Sequence, residues 1–318
     1  MRPSIINIHH TANRNIGDRY CRPLDYFPEV CHGWRVRDVA ATDRARIDSL
    51  RGQIVILGGG GMLHPWPWEH VLYPLLAGGN RVIAWGIGHH HDAVHSHSGT
   101  IERNWRSSVK HYLTDYDLSR FALCGLRDVV DWPIYAPCST CMHPVFDAPV
   151  KPTQDYVLYE HGDLEPIDID GLPRMSNTGP ARIEEVATFL ASGRTVITNT
   201  YHGAYWATLL GRRVAVYEPW CTKFSLMRYP LVECTRDDWR ERSSSAPMYP
   251  GALAECRSAT RAFAERVRLL LLEARDQESR WGKRLRALVP KRLHAGYSAF
   301  SGSVIARRLE KMNAPRAK

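Results

Sequence analysis

Short apolar runs that end in glycine or in polar residues recur along the first half of the chain. Runs of this length are typical of strands that are buried on both faces of a parallel sheet. A helical pattern at 68–77 separates two of them and stops at Gly78 and Gly79. The predicted strands of this half are 4–10, 34–39, 53–57, 81–87 and 121–126.

The alternation starts again after the proline-containing stretch 145–154, which we interpret as a linker. The last helix, 251–275, carries its apolar residues at the 3.6-residue period of a helix that packs on a core. Strands and helices that alternate in this way predict an α/β fold with parallel sheets. The other predicted elements of this half are the strands 155–159, 195–199 and 213–217 and the helices 180–191 and 203–210.

The length of 318 residues exceeds the size at which single hydrophobic cores usually stop growing. We therefore predict a Rossmann-like N-terminal domain at 1–148, a Rossmann-like C-terminal domain at 155–275 and a tail at 276–318. Open α/β sheets bind ligands at the carboxyl ends of their strands. We accordingly expect the site in a cleft between the two domains.

Composition and hydropathy favour a cytoplasmic protein. The chain is 44% hydrophobic and 24% charged, as in soluble globular proteins. It has no run of the roughly 18 apolar residues that a membrane-spanning helix needs. A charged segment followed by an apolar run, the mark of a secretory signal, is not present at the start.

The basic charge is concentrated in the tail. From Asp276 onwards there are eleven Lys and Arg residues against three Asp and Glu, a net of +8 out of the +9 of the whole chain. Trp281 lies within a mixture of apolar and basic residues, which favours a membrane interface over nucleic acid. We expect peripheral contact with the inner face of the cell membrane and no nucleic-acid partner. A solvated tail is the alternative.

The eight cysteines are scattered, so we expect buried thiols and not a disulfide framework. Cys138 and Cys141 form a CxxC, with His143 downstream, but no second ligand pair at zinc spacing follows nearby. Five histidines lie between His89 and His97. Contact of one of them, such as His89, with an acceptor sugar is favoured over a metal cluster. No metal and no cofactor are predicted.

Glycines follow two neighbouring predicted strands. The run 58–61 comes directly after one strand, and Gly86-Ile87-Gly88 ends the next. Glycine lets the backbone turn tightly and approach a ligand. Neither segment is a dinucleotide fingerprint or a P-loop, and a plain tight turn is the alternative for each. Since the ends of parallel strands line one edge of a sheet, both segments are candidates for substrate binding.

Three charged or titratable residues follow other strands. Arg127 comes at the end of a strand, where a guanidinium can bind phosphate or carboxylate, or pair with a neighbour such as Asp128. His202 lies at a predicted strand-to-helix junction, a ready anion site, and could act as general acid or base or simply pack. Lys223 follows another strand by a short loop and could reach the same cleft or be exposed.

These residues, in this order, resemble the polysaccharide pyruvyl transferase family. The resemblance implies a GT-B-like arrangement of two Rossmann-like domains with a cleft between them. It also implies transfer of a pyruvyl group from phosphoenolpyruvate to two hydroxyls of a sugar, as a ketal, in the assembly of an exopolysaccharide of the cell envelope. The motifs that carry it are Asn15-x-Gly17-Asp18, Gly58 to Leu63, Gly86-Ile87-Gly88, Leu126-Arg127-Asp128, Thr198 to Gly203 and Lys223-Phe224.

The resemblance also implies roles for single residues. Phosphoenolpyruvate would be the donor, and a saccharide or a lipid-linked saccharide would be the acceptor. His202 would be the catalytic acid or base, and Arg127 and Lys223 would bind the anionic groups, assisted by a helix start at Gly203. The full set of predicted substrate-binding residues is Asn15, Asp18, Gly59, Gly60, Gly61, Gly88, His89, Arg127, Thr200, Tyr201, Gly203 and Lys223.

The chain departs from the family pattern at one position of the site. Family members commonly carry arginine two residues before the histidine, where this chain has Thr200. Either another cation replaces the lost guanidinium or the donor is different. The alternatives are a GT-B glycosyltransferase that uses a nucleotide-sugar donor and a non-catalytic binding member of the family. The candidate replacement cations are Arg182, Arg194 and Arg228.

Overall fold

A computed structural model describes residues 4–10, 14–90, 116–130, 134–148 and 150–288, without the side chains of Pro65 and 278–288. The first of its two sheets has the strand order β2-β1-β3-β4-β5-β6, and every neighbouring pair is parallel. Its strands are β1 (Ser4–His9), β2 (Arg35–Ala40), β3 (Ile54–Gly58), β4 (Arg81–Ile87), β5 (Leu123–Leu126) and β6 (Ile134–Tyr135).

The second sheet has the order β11-β10-β9-β7-β8, and its pairs are likewise all parallel. Its central strands are buried along most of their length, as expected for apolar runs covered on both faces. The strands are β7 (Gln154–Glu160), β8 (Arg174–Ser176), β9 (Gly193–Thr198), β10 (Arg213–Tyr217) and β11 (Val232–Cys234).

Helices connect the strands, and several of these connections are single turns. Within the described part of the chain, no helix is both long and apolar enough to cross a membrane. The α-helices are α1 (Ile16–Tyr20), α2 (Arg44–Ser49), α3 (Pro65–Pro67), α4 (Tyr73–Ala77), α5 (Ile183–Ser192), α6 (Tyr201–Leu209), α7 (Trp239–Ser244) and α8 (Ala252–Leu288), with a π-helical turn at Trp68–Leu72 between α3 and α4.

The predicted α/β fold with two parallel sheets is confirmed, and three predicted helix boundaries are wrong. The helix predicted from Gly203 begins two residues earlier, at Tyr201, because Thr200 caps it. The helix predicted from Pro180 begins at Ile183, so that the proline lies outside it. The helix predicted to end at residue 275 continues to Leu288.

The chain divides into two compact units, Met1–Leu271 and Leu272–Lys318, and both sheets lie in the first. The predicted boundary between 148 and 155 falls between the sheets and stays a prediction. One hydrophobic cluster packs on one face of the first sheet. Another packs on one face of the second sheet, with Ile16, Cys138 and Cys141 from the first half of the chain, and a third lies on the opposite face of that sheet. The predicted tail 276–318 is helical as far as Leu288, its residues 289–318 lie outside the described residues, and its membrane contact stays a prediction.

Candidate functional site

The carboxyl ends of strands from both sheets supply one pocket of about 270 Å3. Loops after β1, β3, β4 and β5 contribute from the first sheet, and loops after β7, β8, β9 and β10 contribute from the second. This is the edge at which open α/β sheets bind ligands. Of the predicted site residues, the structure brings eight into the lining: Asn15, Asp18, Gly61, Arg127, Thr200, Tyr201, His202 and Lys223.

The other predicted site residues lie behind the lining. Gly59 and Gly60 have positive φ angles of 73° and 84° and form the turn after β3. Gly203 donates its N–H to the Thr200 hydroxyl at 2.9 Å. His89 is buried, and its Nδ1 lies 2.7 Å from the hydroxyl of Thr222. Gly88 packs under Arg127, and the further histidines 91, 95 and 97 lie outside the described residues.

Sequence reasoning missed seven residues of the lining. Most of them follow the end of a strand, so the rule that selected the glycine segments also applied to them. Trp66 and Pro67 are different, because they lie in a helical segment that nothing in the sequence marks as part of a site. The missed residues are His10, Trp66, Pro67, His90, His161, Asp163 and Asn177.

Arg127 is a buried cation in the lining, with 4% of its surface exposed. Its guanidinium carbon lies 3.7 Å from the centre of the Tyr201 ring, a cation–π contact across the two sheets' loops. Its Nε is buried and has no hydrogen-bond partner among the described residues. A Cβ on Gly88 would come within 2.4 Å of that Nε, so glycine is needed for the side chain to pass.

Lys223 is the second buried cation, with 6% exposed. It lies in a 3-10 turn after β10, and its Nζ is 4.0 Å from the centre of the Trp220 ring. The Trp220 indole N–H donates to the carbonyl of Asn199 at 2.9 Å, which fixes the ring below the ammonium. Burial, above all, lowers the pKa of Lys223, and Arg127 adds to this effect.

His202 lies in the first turn of α6 with 5% of its surface exposed. Burial lowers its pKa well below 6.5, and the positive charges of Arg127 and Lys223 lower it further. The imidazole is therefore neutral at physiological pH. Its Nε2 lies 3.5 Å from the thiol of Cys138.

The opposite edge of the His202 ring packs against Gly17 of the Asn15-x-Gly17-Asp18 motif. A Cβ built on Gly17 would lie 2.0 Å from Nδ1. The Asn15 side chain caps α1 by accepting from the Gly17 N–H at 3.0 Å, and Ile16 donates its N–H to the carbonyl of Asn177 at 3.0 Å. These bonds hold the motif of the first half against the loops of the second sheet.

The side chain of Thr200 has a structural role at the start of α6. Its backbone is extended, with φ −115° and ψ 143°, and its hydroxyl accepts from the N–H of Gly203, as a helix N-cap does. Thr198 also contacts that hydroxyl, at 3.1 Å. The residue that departs from the family pattern thus lines the pocket and begins the helix that carries His202.

None of the three proposed replacement cations lines the pocket. The side chains of all three are exposed, and each forms a salt bridge at the surface. Their partners are Glu184 for Arg182, Asp155 for Arg194 and Glu255 for Arg228. The expectation that one of them replaces the family arginine is wrong, because all three lie outside the pocket lining.

His161 and Asp163, which follow β7, add polar groups on the side of the second sheet. His161 donates its backbone N–H to the Asn199 side chain at 2.7 Å, and its ring lies 5.5 Å from that of Trp220. Burial lowers the pKa of His161, and Lys223 lowers it further. The lining therefore combines two buried cations with the neutral imidazoles of His161 and His202, amides and the carboxylates of Asp18 and Asp163.

The arrangement suits a small anion that must exchange a proton. Buried cations attract phosphate or carboxylate in a region where few waters compete. A scan against protein-family models finds no matching family, and a search of curated proteins finds no matching sequence. The protein is an α/β protein whose two parallel sheets bring Arg127, Lys223 and His202 to one pocket.

Proposed function

We propose that the protein transfers a pyruvyl group from phosphoenolpyruvate to a sugar of a cell-surface polysaccharide or of its lipid-linked precursor, with formation of a ketal. One observation carries the proposal. Arg127, Lys223 and His202 follow three different strands and line the same pocket. In this account the two sheets belong to Rossmann-like domains in a GT-B-like arrangement, and the pocket lies in the cleft between them.

The charges and the size of the pocket support this donor. Phosphoenolpyruvate carries a phosphate and a carboxylate on a three-carbon unit, so that it needs two cationic contacts close together. Arg127 can bind one group through its planar guanidinium and Lys223 the other through its ammonium. A volume of about 270 Å3 accommodates a molecule of this size.

His202 is the group to which we assign proton transfer. Burial lowers its pKa most, and the charges of Arg127 and Lys223 lower it further. A bound anion offsets those two charges and favours a protonated ring, and we assign the imidazolium form to the complex with phosphoenolpyruvate. The imidazolium then protonates the methylene carbon of the enol, and the neutral ring takes the proton of the sugar hydroxyl that bonds to C2.

The remaining steps need no further group of the protein. The C2–O bond to phosphate breaks, the second sugar hydroxyl bonds to C2, and its proton leaves with the phosphate. Each acceptor hydroxyl thus loses one proton, and the products are the ketal and inorganic phosphate. Asp18 and Asp163 are the carboxylates of the lining, and we assign to them the binding of acceptor hydroxyls. Trp66, with 45% of its surface exposed, offers an aromatic face to a sugar ring.

A lipid-linked acceptor would place the enzyme at the inner face of the cell membrane. The net charge of +8 from residue 276 onwards supports such peripheral contact. Deletion of 276–318 should then release the protein from vesicles that contain anionic lipid. Unchanged co-sedimentation of the truncated protein would refute the role of the tail.

The test of the function is phosphate release by the full-length protein, supplied with phosphoenolpyruvate and a panel of sugars and lipid-linked sugars. Arg127→Gln should weaken binding of phosphoenolpyruvate by about ten- to a hundredfold, the value of one charged hydrogen bond. Arg182→Gln is the matched control, since that exposed arginine pairs with Glu184 and should leave binding unchanged.

Two outcomes would overturn the proposal. Saturable binding of a nucleotide sugar, together with no phosphate release for any acceptor, would identify a glycosyltransferase. Binding of phosphoenolpyruvate at the pocket with no release for any acceptor would identify a non-catalytic binding member.

A further inference from the structure

The 3-10 turn Ser139–Met142 after β6 places a thiol against the candidate catalytic histidine. Cys138, which precedes the turn, is fully buried, and its Sγ lies 3.5 Å from Nε2 of His202. The same Sγ lies 3.2 Å from the hydroxyl of Thr140. That hydroxyl in turn lies 2.9 Å from the indole nitrogen of Trp206, one turn after His202 in α6.

The direction of these hydrogen bonds can be deduced from Trp206, at one end of the series. The indole N–H of Trp206 can only donate, so the oxygen of Thr140 is the acceptor there. Thr140 is itself fully buried, and Cys138 is the other partner of its hydroxyl among the described residues. A buried hydroxyl hydrogen needs an acceptor, and therefore the hydroxyl of Thr140 donates to the Cys138 sulfur.

One acceptor then remains for the thiol hydrogen of Cys138. The Cys138 sulfur already accepts from Thr140, and its own hydrogen needs an acceptor. Nε2 of His202 is the remaining partner of the thiol, and the thiol donates to it. A neutral imidazole that accepts at Nε2 carries its proton on Nδ1.

We propose that Cys138 is a positioning residue, which holds neutral His202 in the tautomer with the proton on Nδ1. This nitrogen lies on the ring edge that packs against Gly17, in the motif that also supplies Asn15 and Asp18 to the lining. Neutral His202 is thus a hydrogen-bond donor on this edge. A proton gained at Nε2 makes Nδ1–H the acid. Only this last consequence rests on the proposed function.

The geometry explains why a thiol suits this position. Tyr205 donates its hydroxyl to the carbonyl of Cys138 at 3.0 Å, so the backbone is fixed from the same helix that carries His202. The thiol is a weak donor, and it can turn to accept when Nε2 becomes protonated. It therefore orients the ring in both protonation states without adding a charge.

The test reads the tautomer directly and without substrate. Full-length protein with 15N-labelled histidine is studied by NMR near pH 7.5, and His202→Gln identifies the signals of that ring. We expect the proton on Nδ1 in the wild type. A protonated Nε2 with a bare Nδ1 would overturn the proposal, whatever the variants show.

Three substitutions sharpen the result. Cys138→Ala should shift the tautomer ratio towards Nε2–H by up to about tenfold, the value of one neutral hydrogen bond. Cys138→Ser, which keeps a donor, should restore the wild-type ratio. Cys141→Ala is the control, since that thiol is equally buried in the same turn but contacts Thr260 and not His202.

An unchanged ratio in Cys138→Ala, or an equal shift in Cys141→Ala, would contradict the positioning role. Failure of phosphoenolpyruvate to bind would count against the proposed function alone, because the tautomer is read in the empty protein.

Discussion

Gly17 offers the sharpest perturbation of the site, because the structure predicts opposite effects of one methyl group on the helix and on the pocket. Gly17 lies in the first turn of α1 without a positive φ angle. Alanine there should favour the helix, by up to about 1 kcal/mol. In isolation, Gly17→Ala would therefore be neutral or stabilising.

The position of His202 reverses that expectation. The new Cβ would lie 2.0 Å from Nδ1 and 2.4 Å from Cγ of the imidazole. The ring would have to retreat by about 1.4 Å to reach an ordinary contact of 3.4 Å. It has no room to do so, because Cys138 lies behind Nε2 and the Trp206 ring lies 5.1 Å from its centre.

Overpacking of this kind typically costs about 1–3 kcal/mol. We therefore expect Gly17→Ala to lower the free energy of unfolding by about 1–2 kcal/mol in urea at constant pH, and to weaken phosphoenolpyruvate binding. Gly179→Ala is the control, since a Cβ there meets nothing closer than 3.9 Å. In a His202→Ala background the penalty should vanish, so a double-mutant cycle isolates the contact. A Gly17→Ala protein as stable as the wild type, with intact binding, would refute the placement of His202.

Three further predictions follow from the neighbours of this ring. Since burial and then Arg127 and Lys223 lower the pKa of His202 below 6.5, the unfolded chain binds a proton that the folded protein does not. Stability should therefore fall as the pH drops below about 6.5, by up to about 1.4 kcal/mol per pH unit, and urea titrations at pH 7.5 and 5.5 should show a smaller fall in His202→Gln. Tyr201→Leu should weaken phosphoenolpyruvate binding several-fold, because Arg127 loses the ring 3.7 Å away, whereas Tyr201→Phe should bind normally in calorimetry; equal losses in both would exclude the cation–π contact. Thr200→Ala should cost about 1 kcal/mol of unfolding free energy and Thr200→Ser almost none, and a stable alanine variant would argue against the N-cap.

The sequence predicts the sheets well because buried parallel strands leave apolar runs, and each of the longer runs became a strand. Three strands were missed: β6, β8 and β11 have only two or three residues, too few for a pattern. Their pairing depends on neighbours that are distant in sequence. The sequence pattern places the start of the helix that carries His202 at Gly203, whereas the Thr200 cap starts it at Tyr201.

The candidate site was predictable where a residue follows a strand and not where a contact joins distant segments. Arg127, His202 and Lys223 follow β5, β9 and β10 and line the pocket as predicted. His161 obeys the same rule after β7 but was missed. Cys138 and His202 are 64 residues apart in the sequence, so only the folded chain brings them into contact. No local pattern marks it.

The most direct test of pyruvyl transfer at this site is a crystal structure of the full-length protein with phosphoenolpyruvate. We expect its phosphate and carboxylate to lie on Arg127 and Lys223, with the methylene carbon towards His202. Phosphoenolpyruvate bound elsewhere, or no phosphoenolpyruvate in the pocket at saturating concentration, would contradict this assignment.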